Sequence, residues 1–385
     1  MKILHLGKLC PSNEGGIEVF SYDLLEYLNS KGVKADLLCF GSETKKDKYK
    51  GFNYFSCKMD IKLNSAPISI DYIRKFREIT NDYDIIHIHS PNPLAEMFSL
   101  LVPKNKKVIS HWHSDIIKQK ITYQFYKPIQ QAFLKRADKI ICTSPQYLET
   151  SKQLKNFKEK AVVVPLGLNI ERLNTKDNDL KYENIKDKLN GKKVVLSIGR
   201  FVEYKGFEYL VESAKYFKEN TILVIVGTGP LFGKIEEMIK RENLNDKVIL
   251  TGKVKNINSF LSKCDVFCLP SISRNEAFGL VLVEALYFGK PLVTTNVEGS
   301  GMNFVNIDNF TGFVVEPRNP KALAEAINKI LSDEDLYKIL SQNAKKRFNE
   351  FKIEAIGDKI INLYKDILTY NYSTEGGIKS GRKSC

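Results

Sequence analysis

Two acidic residues, Glu276 and Glu284, stand eight positions apart around the start of an apolar segment. Gly289 and Pro291 end that segment, so the pattern predicts a helix over residues 279–288. Glu284 then lies roughly 8 Å along the helix axis from its start, because each helical residue rises about 1.5 Å. Between the two carboxylates, the helix start offers unpaired backbone N–H groups, which suit an anion.

Those N–H groups belong to Phe278, Gly279 and Leu280. An acid, an anion site and a second acid form a layout that would hold the sugar, the diphosphate and the ribose of a nucleotide sugar. The same residues could also be two solvated acids at the ends of an ordinary amphipathic helix. Taken alone, the segment leaves both interpretations open.

A second chemical candidate, segment 199–206, follows an apolar run that is predicted as a strand. Its glycines permit tight turns, while Arg200 and Lys205 carry two positive charges. Such a pair can neutralise a diphosphate leaving group without a metal ion. Two exposed cations on an ordinary loop are the alternative interpretation.

Gly15 and Gly16 lie between the first predicted strand and the first predicted helix. A glycine pair there can present backbone N–H groups to a phosphate at the helix N-terminus. The pair is equally typical of an ordinary turn, so it becomes informative only in combination with the other motifs.

His111 and His113 flank Trp112 at the end of another predicted strand. Strand alternation places the two histidines on one face and the tryptophan on the other. A histidine at that position could contact a reacting sugar, but a single histidine is more often a structural residue. Both possibilities stay open.

The glycine-rich segment 227–233 matches a dinucleotide-binding fingerprint only in part. Its third glycine is one position late, and the strand before it is not the first of its unit. We interpret it as a loop at the rim of a ligand crevice.

Metal sites are not predicted. Three pairs of aspartates are spaced by two residues. The first pair precedes a predicted strand, the second falls in the predicted linker and the third begins a predicted helix, so none is placed like a set of magnesium ligands. Four cysteines lie in or beside apolar strands, and no second pair completes a zinc site. We therefore expect reduced, structural thiols at Cys39, Cys142, Cys264 and Cys268.

The chain has 385 residues, which is too long for one ordinary core and predicts two domains. Its 43% hydrophobic and 27% charged residues are typical of a soluble globular protein. No apolar run approaches the roughly 20 residues that span a bilayer. Because the chain also begins on a predicted strand without a leader, we expect a cytoplasmic protein.

The net charge of +14 is concentrated in the first half of the chain. This charge suits phosphates, an anionic membrane surface or nucleic acid, although a lysine-rich solvated surface explains it equally well. Segment 116–139 interleaves basic and aromatic residues, so it could lie on an anionic bilayer or pack its apolar face on a sheet. The basic residues follow no reader motif, and nucleic acid is therefore not an expected partner.

Apolar runs and helical patterns alternate in both halves of the chain, which predicts an α/β protein with two doubly wound parallel sheets. Such sheets bind ligands at the carboxyl ends of their strands, and two sheets that face each other would enclose the active site in a cleft. We predict an N-terminal domain over 1–170, a C-terminal domain over 171–350, a helix over 351–370 and a disordered tail over 371–385.

Together, the motifs resemble the retaining GT-B glycosyltransferases of family 4. The resemblance covers residues 1–370 and rests on motifs that occur in the family's order: Gly15-Gly16, His113 before an Asp-bearing loop, Gly199-Arg200 with Lys205-Gly206, and Glu276 with Glu284. Segments 112–120 and 298–301 further resemble the bacterial branch that contains mannosyl- and rhamnosyltransferases of O-antigen and capsule assembly.

The resemblance implies a GT-B fold, with two Rossmann-like domains facing across a cleft and a last helix that crosses back to the first domain. It implies that Arg200 and Lys205 bind the donor diphosphate and that Glu284 binds the ribose. Glu276 would hold the transferred sugar, with N–H contacts from segment 278–280.

In the first domain, the resemblance assigns a phosphate contact to Gly16 beside Gly15. His113 would contact the donor sugar, with His111 as the runner-up. The family uses no metal, so the nucleotide-diphosphate sugar is a substrate and no cofactor is expected.

The expected function is that of a retaining hexosyltransferase at the inner face of the plasma membrane. It would move mannose first, with GDP-mannose as donor, or a hexose from a UDP donor, to a lipid-linked or growing polysaccharide. A nucleotide-sugar epimerase on the same fold is the nearest alternative enzyme. A two-domain solute-binding protein is disfavoured by the missing leader.

Overall fold

The computed structural model describes residues 1–11, 15–63, 66–117, 120–174 and 179–375. Residues 12–14 of the glycine motif, 118–119 of the basic segment, 177–178 of one acid pair, and 376–385 of the predicted disordered tail lie outside the described residues. The chain divides into two compact units. The first unit comprises Met1–Cys142, Gln153–Gly167 and the chain from Ile353 onward, and the second comprises Thr143–Lys152 and Leu168–Lys352.

The first unit is built on an eight-stranded sheet in the order β10-β9-β8-β7-β1-β2-β4-β3, parallel except for β3. Its central strands are buried apolar runs, as expected where both faces of a parallel sheet are covered. Strands β5 and β6 form a separate two-stranded antiparallel sheet. The strands of this unit are β1 Lys2–Leu9, β2 Lys34–Gly41, β3 Lys45–Tyr49, β4 Phe52–Lys58, β5 Ile61–Leu63, β6 Ala66–Ile68, β7 Ile85–Ser90, β8 Lys107–Trp112, β9 Lys139–Cys142 and β10 Ala161–Val163.

Helices connect these strands and form the layers above and below the sheet. The long last helix, α15, packs against the first, α1, where Tyr27 donates a hydrogen bond to Asp358 at 2.7 Å. The helices of the first unit are α1 Gly16–Ser30, α2 Ile70–Ile79, α3 Pro93–Ser99, α4 Lys120–Arg136 and α15 Ile353–Glu375.

The second unit contains a six-stranded parallel sheet in the order β13-β12-β11-β14-β15-β16. Within the unit this is the doubly wound order 3-2-1-4-5-6, whose topological switch point lies between β11 and β14. Its strands are β11 Lys193–Ile198, β12 Thr221–Val226, β13 Val248–Gly252, β14 Val266–Leu269, β15 Leu292–Thr295 and β16 Gly312–Val315.

Ten helices of the second unit surround this sheet among the described residues. They are α5 Pro145–Thr150, α6 Leu180–Glu183, α7 Lys186–Leu189, α8 Phe207–Ser213, α9 Phe232–Arg241, α10 Asn258–Lys263, α11 Leu280–Tyr287, α12 Met302–Val305, α13 Pro320–Ser332 and α14 Glu334–Phe348. The predicted α/β architecture with two parallel sheets is confirmed. The predicted domain boundaries stay a prediction.

The cysteines follow the prediction with one exception. Cys10 and Cys39 form a disulfide, because Cys10 directly follows β1 beside the neighbouring strand β2, so the expected reduced thiol is wrong for Cys39. The other three predicted thiols, Cys142, Cys264 and Cys268, are free and buried. Burial raises the pKa of Cys142 and of Cys264 to about 12, which keeps both thiols protonated.

Candidate active site

The loop after β11 carries the candidate cations of the second unit. A short 3₁₀ turn over Glu203–Lys205 ends at Gly206, whose φ of +65° lies in the left-handed region. A Cβ atom at Gly206 would lie 2.4 Å from the carbonyl oxygen of Pro270, which directly follows β14. Glycine therefore lets the loops after β11 and β14 touch at the topological switch point, where doubly wound sheets bind ligands.

Lys205 and Glu276 form a buried ion pair at this switch point. The Nζ of Lys205 lies 2.5 Å from Oε2 of Glu276, and the two residues are only 8% and 9% exposed. Burial by itself would lower the pKa of Lys205, but the charges of Glu276 and Tyr204 and the hydrogen bond to Glu276 together outweigh burial, and the pKa is raised. A Cβ at Gly199 would lie 3.3 Å from the same Nζ, so this glycine leaves room for the ammonium.

The backbone around Glu276 is held by the segment that follows β15. The hydroxyl of Ser300 donates to the carbonyl oxygen of Glu276, and the amide of Gly301 donates to the carbonyl oxygen of Ala277 at 2.8 Å. Ser271 also donates to the Glu276 carboxylate, at 3.2 Å. These bonds orient the carboxylate before any ligand arrives.

Helix α11 begins directly after this loop, as the sequence predicts. Gly279 is its N-cap with φ +82°, and Gly289 ends the segment with φ +66°. Within the described part of the chain, the backbone N–H groups of Phe278, Gly279 and Leu280 have no hydrogen-bond partner. Three free N–H groups at a helix start are the expected anion site.

Glu284 lies inside α11 and is 7% exposed. Its Oε1 lies 3.4 Å from Nη2 of Arg172, which is half-buried and which the sequence motifs do not single out. Arg172 lies in a short 3₁₀ turn far away in sequence, so only the fold brings it to this carboxylate.

Arg200 is exposed, and no ion pair involves it among the described residues. The loop that carries Arg200 packs on the glycine-rich loop after β12, since the backbone amide of Phe201 donates to the carbonyl oxygen of Thr228 at 2.9 Å. Burial raises the pKa of Tyr204, and the charges of Lys205, Glu276 and Arg200 also act on its hydroxyl. The two cations and the carboxylate therefore share one neighbourhood.

The first unit holds the remaining predicted residues and has a pocket at its own switch point, between β1 and β7. Gly15 is the N-cap of α1, and Gly16 is the first residue of that helix. The pocket has a volume of about 130 Å³. It is lined by Gly7, Lys8, Leu9, Ile17, Glu18, Ser21, Tyr22, Leu37, His89, Ser90, Pro91, His113 and Ser114.

Of the two competing histidines, His113 lines this pocket and His111 does not. Their rings are stacked with centroids 4.5 Å apart, so both lie on one side of the sheet, although β8 ends at Trp112. Burial, followed by the neighbouring His89, holds the pKa of His113 well below its usual range. His113 is therefore a neutral imidazole near pH 7.

Both halves of the chain match models of one glycosyltransferase class. Residues 14–172 match the model described as Glycosyltransferase Family 4, and residues 179–347 match Glycosyl transferases group 1. The chain is also 32% identical to O-antigen chain mannosyltransferase C of Escherichia coli over 374 residues, covering 96% of this chain and 99% of that protein.

The chain belongs to the group 1 glycosyltransferases of family 4.

Other proteins resemble the chain over nearly its whole length. The D-rhamnosyltransferase WbpZ of Pseudomonas aeruginosa is 29% identical over 355 residues, covering 91% of this chain and 92% of that protein. The crystal structure of Anabaena HepE in complex with UDP superposes with a TM-score of 0.77 at 20% identity, covering 95% of this chain and all of that one.

Sucrose-phosphate synthase from Thermosynechococcus elongatus shares the fold with a TM-score of 0.76 at 23% identity, covering 96% of this chain and all of that one. The predicted GT-B fold and the family resemblance are confirmed, and the protein is a glycosyltransferase. Among the described residues of this glycosyltransferase, no helix is long and apolar enough to cross a membrane.

Proposed function

We propose that this glycosyltransferase moves a hexose from a nucleotide-diphosphate sugar to a lipid-linked or growing surface polysaccharide, with retention and without a metal ion. The observation that carries the proposal lies at the switch point of the second sheet. There, Lys205 forms an ion pair with Glu276, and Glu276 lies shortly before the three free backbone N–H groups at the start of α11.

The positive groups suit the departing diphosphate. A lysine ammonium carries three N–H donors, and Glu276 takes one from Lys205. The other donors, the free N–H groups and the exposed guanidinium of Arg200 supply positive potential where the leaving group becomes anionic. Each preorganised group of this kind is worth about 3–4 kcal/mol of barrier.

The acids suit the two sugars of the donor. We assign the hydroxyls of the transferred hexose to Glu276, whose carboxylate is oriented by Ser271 and Lys205. We assign the ribose hydroxyls to Glu284, whose carboxylate is oriented by Arg172. Carboxylates held in this way accept hydroxyl hydrogen bonds without reorganising.

The roles proposed in the first unit follow the family resemblance. Gly16, at the start of α1, would contact the donor phosphate from its backbone N–H, which suits the positive end of a helix. His113 would hydrogen-bond the donor sugar. Its place in the wall of the pocket favours it over His111.

The reaction we propose is front-face attack with retention. The acceptor hydroxyl approaches the anomeric carbon from the side that the diphosphate leaves, and a phosphate oxygen takes the hydroxyl proton. The anomeric carbon passes through an oxocarbenium-like state, while the nucleoside diphosphate leaves with the bonding electron pair.

Mannose from GDP-mannose is the first donor we propose, because the mannosyltransferase from Escherichia coli is similar over nearly its full length. A UDP-hexose is the second, because the similar Anabaena structure contains UDP. The O-antigen relative also supports a lipid-linked acceptor.

Contact with anionic lipid at the inner face of the plasma membrane is a further part of the proposal. Helix α4 exposes Phe125 to 82% and also exposes Lys127, while Phe133 and Leu134 are buried. An exposed aromatic residue beside a lysine suits a shallow interfacial contact, and the buried pair anchors the helix to its own unit.

Donor binding is tested by thermal denaturation of the full chain with GDP-mannose, GDP, the UDP-hexoses and mannose 1-phosphate. A specific donor at a hundredfold excess over its Kd adds about 2.7 kcal/mol of stability, which is a rise of several degrees in Tm. We expect GDP-mannose to give the largest shift and mannose 1-phosphate to give none. Conversion of the donor sugar without an acceptor would instead indicate the epimerase.

Stereochemistry and metal dependence are tested in a sugar-transfer assay with donor and acceptor. We expect an α-linked product from an α-linked donor by NMR of the anomeric proton, and an unchanged rate in EDTA. An inverted product would contradict the front-face mechanism. A rate that EDTA removes and Mg²⁺ restores would contradict the metal-independent role of Arg200 and Lys205.

A further inference from the structure

All five histidines of the chain lie together in the first unit. The parallel register places His5 opposite His87 on β1 and β7, and His89 opposite His111 on β7 and β8. His113 follows directly after β8 and stacks on His111. All five are buried, although the reaction described above uses only His113.

The five rings and one tyrosine are linked in series by hydrogen bonds, with Ser21 as a side branch at His89. It runs from His113 Nε2 to His89 Nδ1 at 3.0 Å, from His89 Nε2 to His5 Nδ1 at 3.1 Å, and from His5 Nε2 to the hydroxyl of Tyr364 at 3.3 Å. It continues from that hydroxyl to His87 Nδ1 at 2.7 Å and from His87 Nε2 to His111 Nδ1 at 3.1 Å.

The two ends of this histidine chain are the outer nitrogens of its first and last rings. His113 Nδ1 and His111 Nε2 are buried without a hydrogen-bond partner in the described residues. Every other ring nitrogen of the five histidines takes part in a hydrogen bond of this chain. The donors and acceptors along the chain can therefore be counted.

Burial holds the pKa of each of the five imidazoles below its usual range, so all are neutral near pH 7. A neutral imidazole has one N–H donor and one acceptor nitrogen. Along one chain, each donor must meet an acceptor, so three proton orders satisfy every link. All five rings carry the proton on Nδ1, or all five carry it on Nε2. In the third order, His113, His89 and His5 carry it on Nε2 and the other two rings on Nδ1, with both neighbouring N–H groups donating to the Tyr364 oxygen.

Ser21 distinguishes among these orders. Its hydroxyl donates to the carbonyl oxygen of Ile17 at 2.7 Å, one turn back in α1, so its oxygen is left to accept. The group that faces this oxygen is His89 Nδ1, at 3.1 Å. This contact favours the proton on His89 Nδ1, where one N–H is shared between the Ser21 oxygen and His113 Nε2. The links then place the protons of the other four rings on Nδ1 as well.

A metal ion fits the cluster less well than shared protons. Donor nitrogens of two histidine triads, His5-His87-His89 and His89-His111-His113, lie within 4.8 Å of one another. The linked nitrogens nevertheless face each other at 3.0–3.1 Å. Nitrogens bound to one tetrahedral zinc at about 2.0–2.1 Å are roughly 3.4 Å apart, with lone pairs aimed at the ion.

We propose that Ser21 is a positioning residue of the transfer site, which acts through His89 to present His113 to the sugar as an Nδ1–H donor. Tyr364 on the last helix joins the two halves of the histidine chain. With the His5 proton on Nδ1, its hydroxyl donates to His5 Nε2 and accepts from His87 Nδ1, which extends the Nδ1–H order to the second half. The inference rests on the proposed role of His113, but the proton order itself is measurable without any substrate.

The test is ¹⁵N NMR of the imidazoles in the full chain, since five histidines give few enough signals to assign. We expect all five rings to be neutral Nδ1–H tautomers at pH 7. Ser21→Ala should admit the Nε2–H order in His113, His89 and His5, and by way of the Tyr364 hydroxyl in the remaining two rings. In Ser21→Ala combined with Tyr364→Phe, the change should stop at His5 and leave His87 and His111 unaffected.

Two control variants separate positioning from general disturbance. Ser21→Thr keeps the hydroxyl and should keep the Nδ1–H order. Ser30→Ala removes a matched hydroxyl on the same helix, which donates to the carbonyl oxygen of Tyr27, and should leave every histidine signal in place.

Activity provides the second readout. We expect Ser21→Ala to lower kcat by about two- to tenfold, the worth of one neutral hydrogen bond, with little change in the KM for the acceptor. An Nε2–H tautomer at His113 in the unaltered protein would overturn the inference, as would an unchanged order in Ser21→Ala. A tight one-to-one Zn²⁺ complex that displaces the ring protons would replace it with a metal site.

If the tautomers behave as expected but kcat does not respond, the proton order stands and the proposed contact of His113 with the sugar fails. If no sugar transfer is found at all, the proposed function fails while the NMR result still decides the histidine chain.

Discussion

Lys205→Met is expected to destabilise the second unit by about 3–5 kcal/mol, because removal of one partner of a buried ion pair leaves the other charge uncompensated. The Nζ of Lys205 lies 2.5 Å from the Glu276 carboxylate, and both residues are almost fully buried. Methionine fills much of the same volume as lysine, so the loss of stability reflects the missing charge and not a cavity. Urea unfolding measures the stability, and the transfer assay should show no turnover.

The control is the double variant Lys205→Met with Glu276→Gln. Without either charge, the site should recover most of the lost stability, since neutral groups of similar shape often replace a buried pair at little cost. Sugar transfer should stay absent, because the cation and the carboxylate are both gone. A double variant as unstable as Lys205→Met would show that packing, and not the ion pair, holds these two loops together.

Local patterns predict most elements that position this site. The helix over residues 279–288 and its stop signal at Gly289 are readable in the sequence, and the structure places α11 within one residue of the predicted bounds. The edge of the first sheet is different. Strand β3, with its Lys and Asp residues, is almost entirely exposed, so it lacks the apolar pattern by which a strand is predicted.

Pairings between distant segments are the part that the sequence does not predict. Arg172 reaches Glu284, and Ser300 holds the carbonyl oxygen of Glu276, only because the doubly wound topology brings their segments to one edge of the sheet. A motif search can assign Lys205 and Glu276 to separate parts of a ligand, but it gives no sign that they pair with each other.

The histidine chain is hidden for the same reason. Each of its residues belongs to a short buried strand, where a single histidine looks structural. Five such residues become one chain only when the register of β1, β7 and β8 is known and Tyr364 arrives from the last helix.

Arg200→Ala should lower kcat/KM by about a hundred- to a thousandfold, the usual effect of removing one preorganised group that faces developing negative charge. Stability should change by no more than about 0.5 kcal/mol, because the side chain is exposed and has no ion pair among the described residues.

The opposite behaviour of Lys205→Met would then separate the two cations. In that case Lys205 would be part of the fold as well as of the proposed site, whereas Arg200 would serve the leaving group alone. Arg241→Ala is the matched control, since this exposed arginine lies on α9 and contacts Glu242, and its activity should be unaffected. Near-normal turnover in Arg200→Ala would remove the diphosphate role from this residue and leave Lys205 with the N–H groups of α11 as the whole of the anion site.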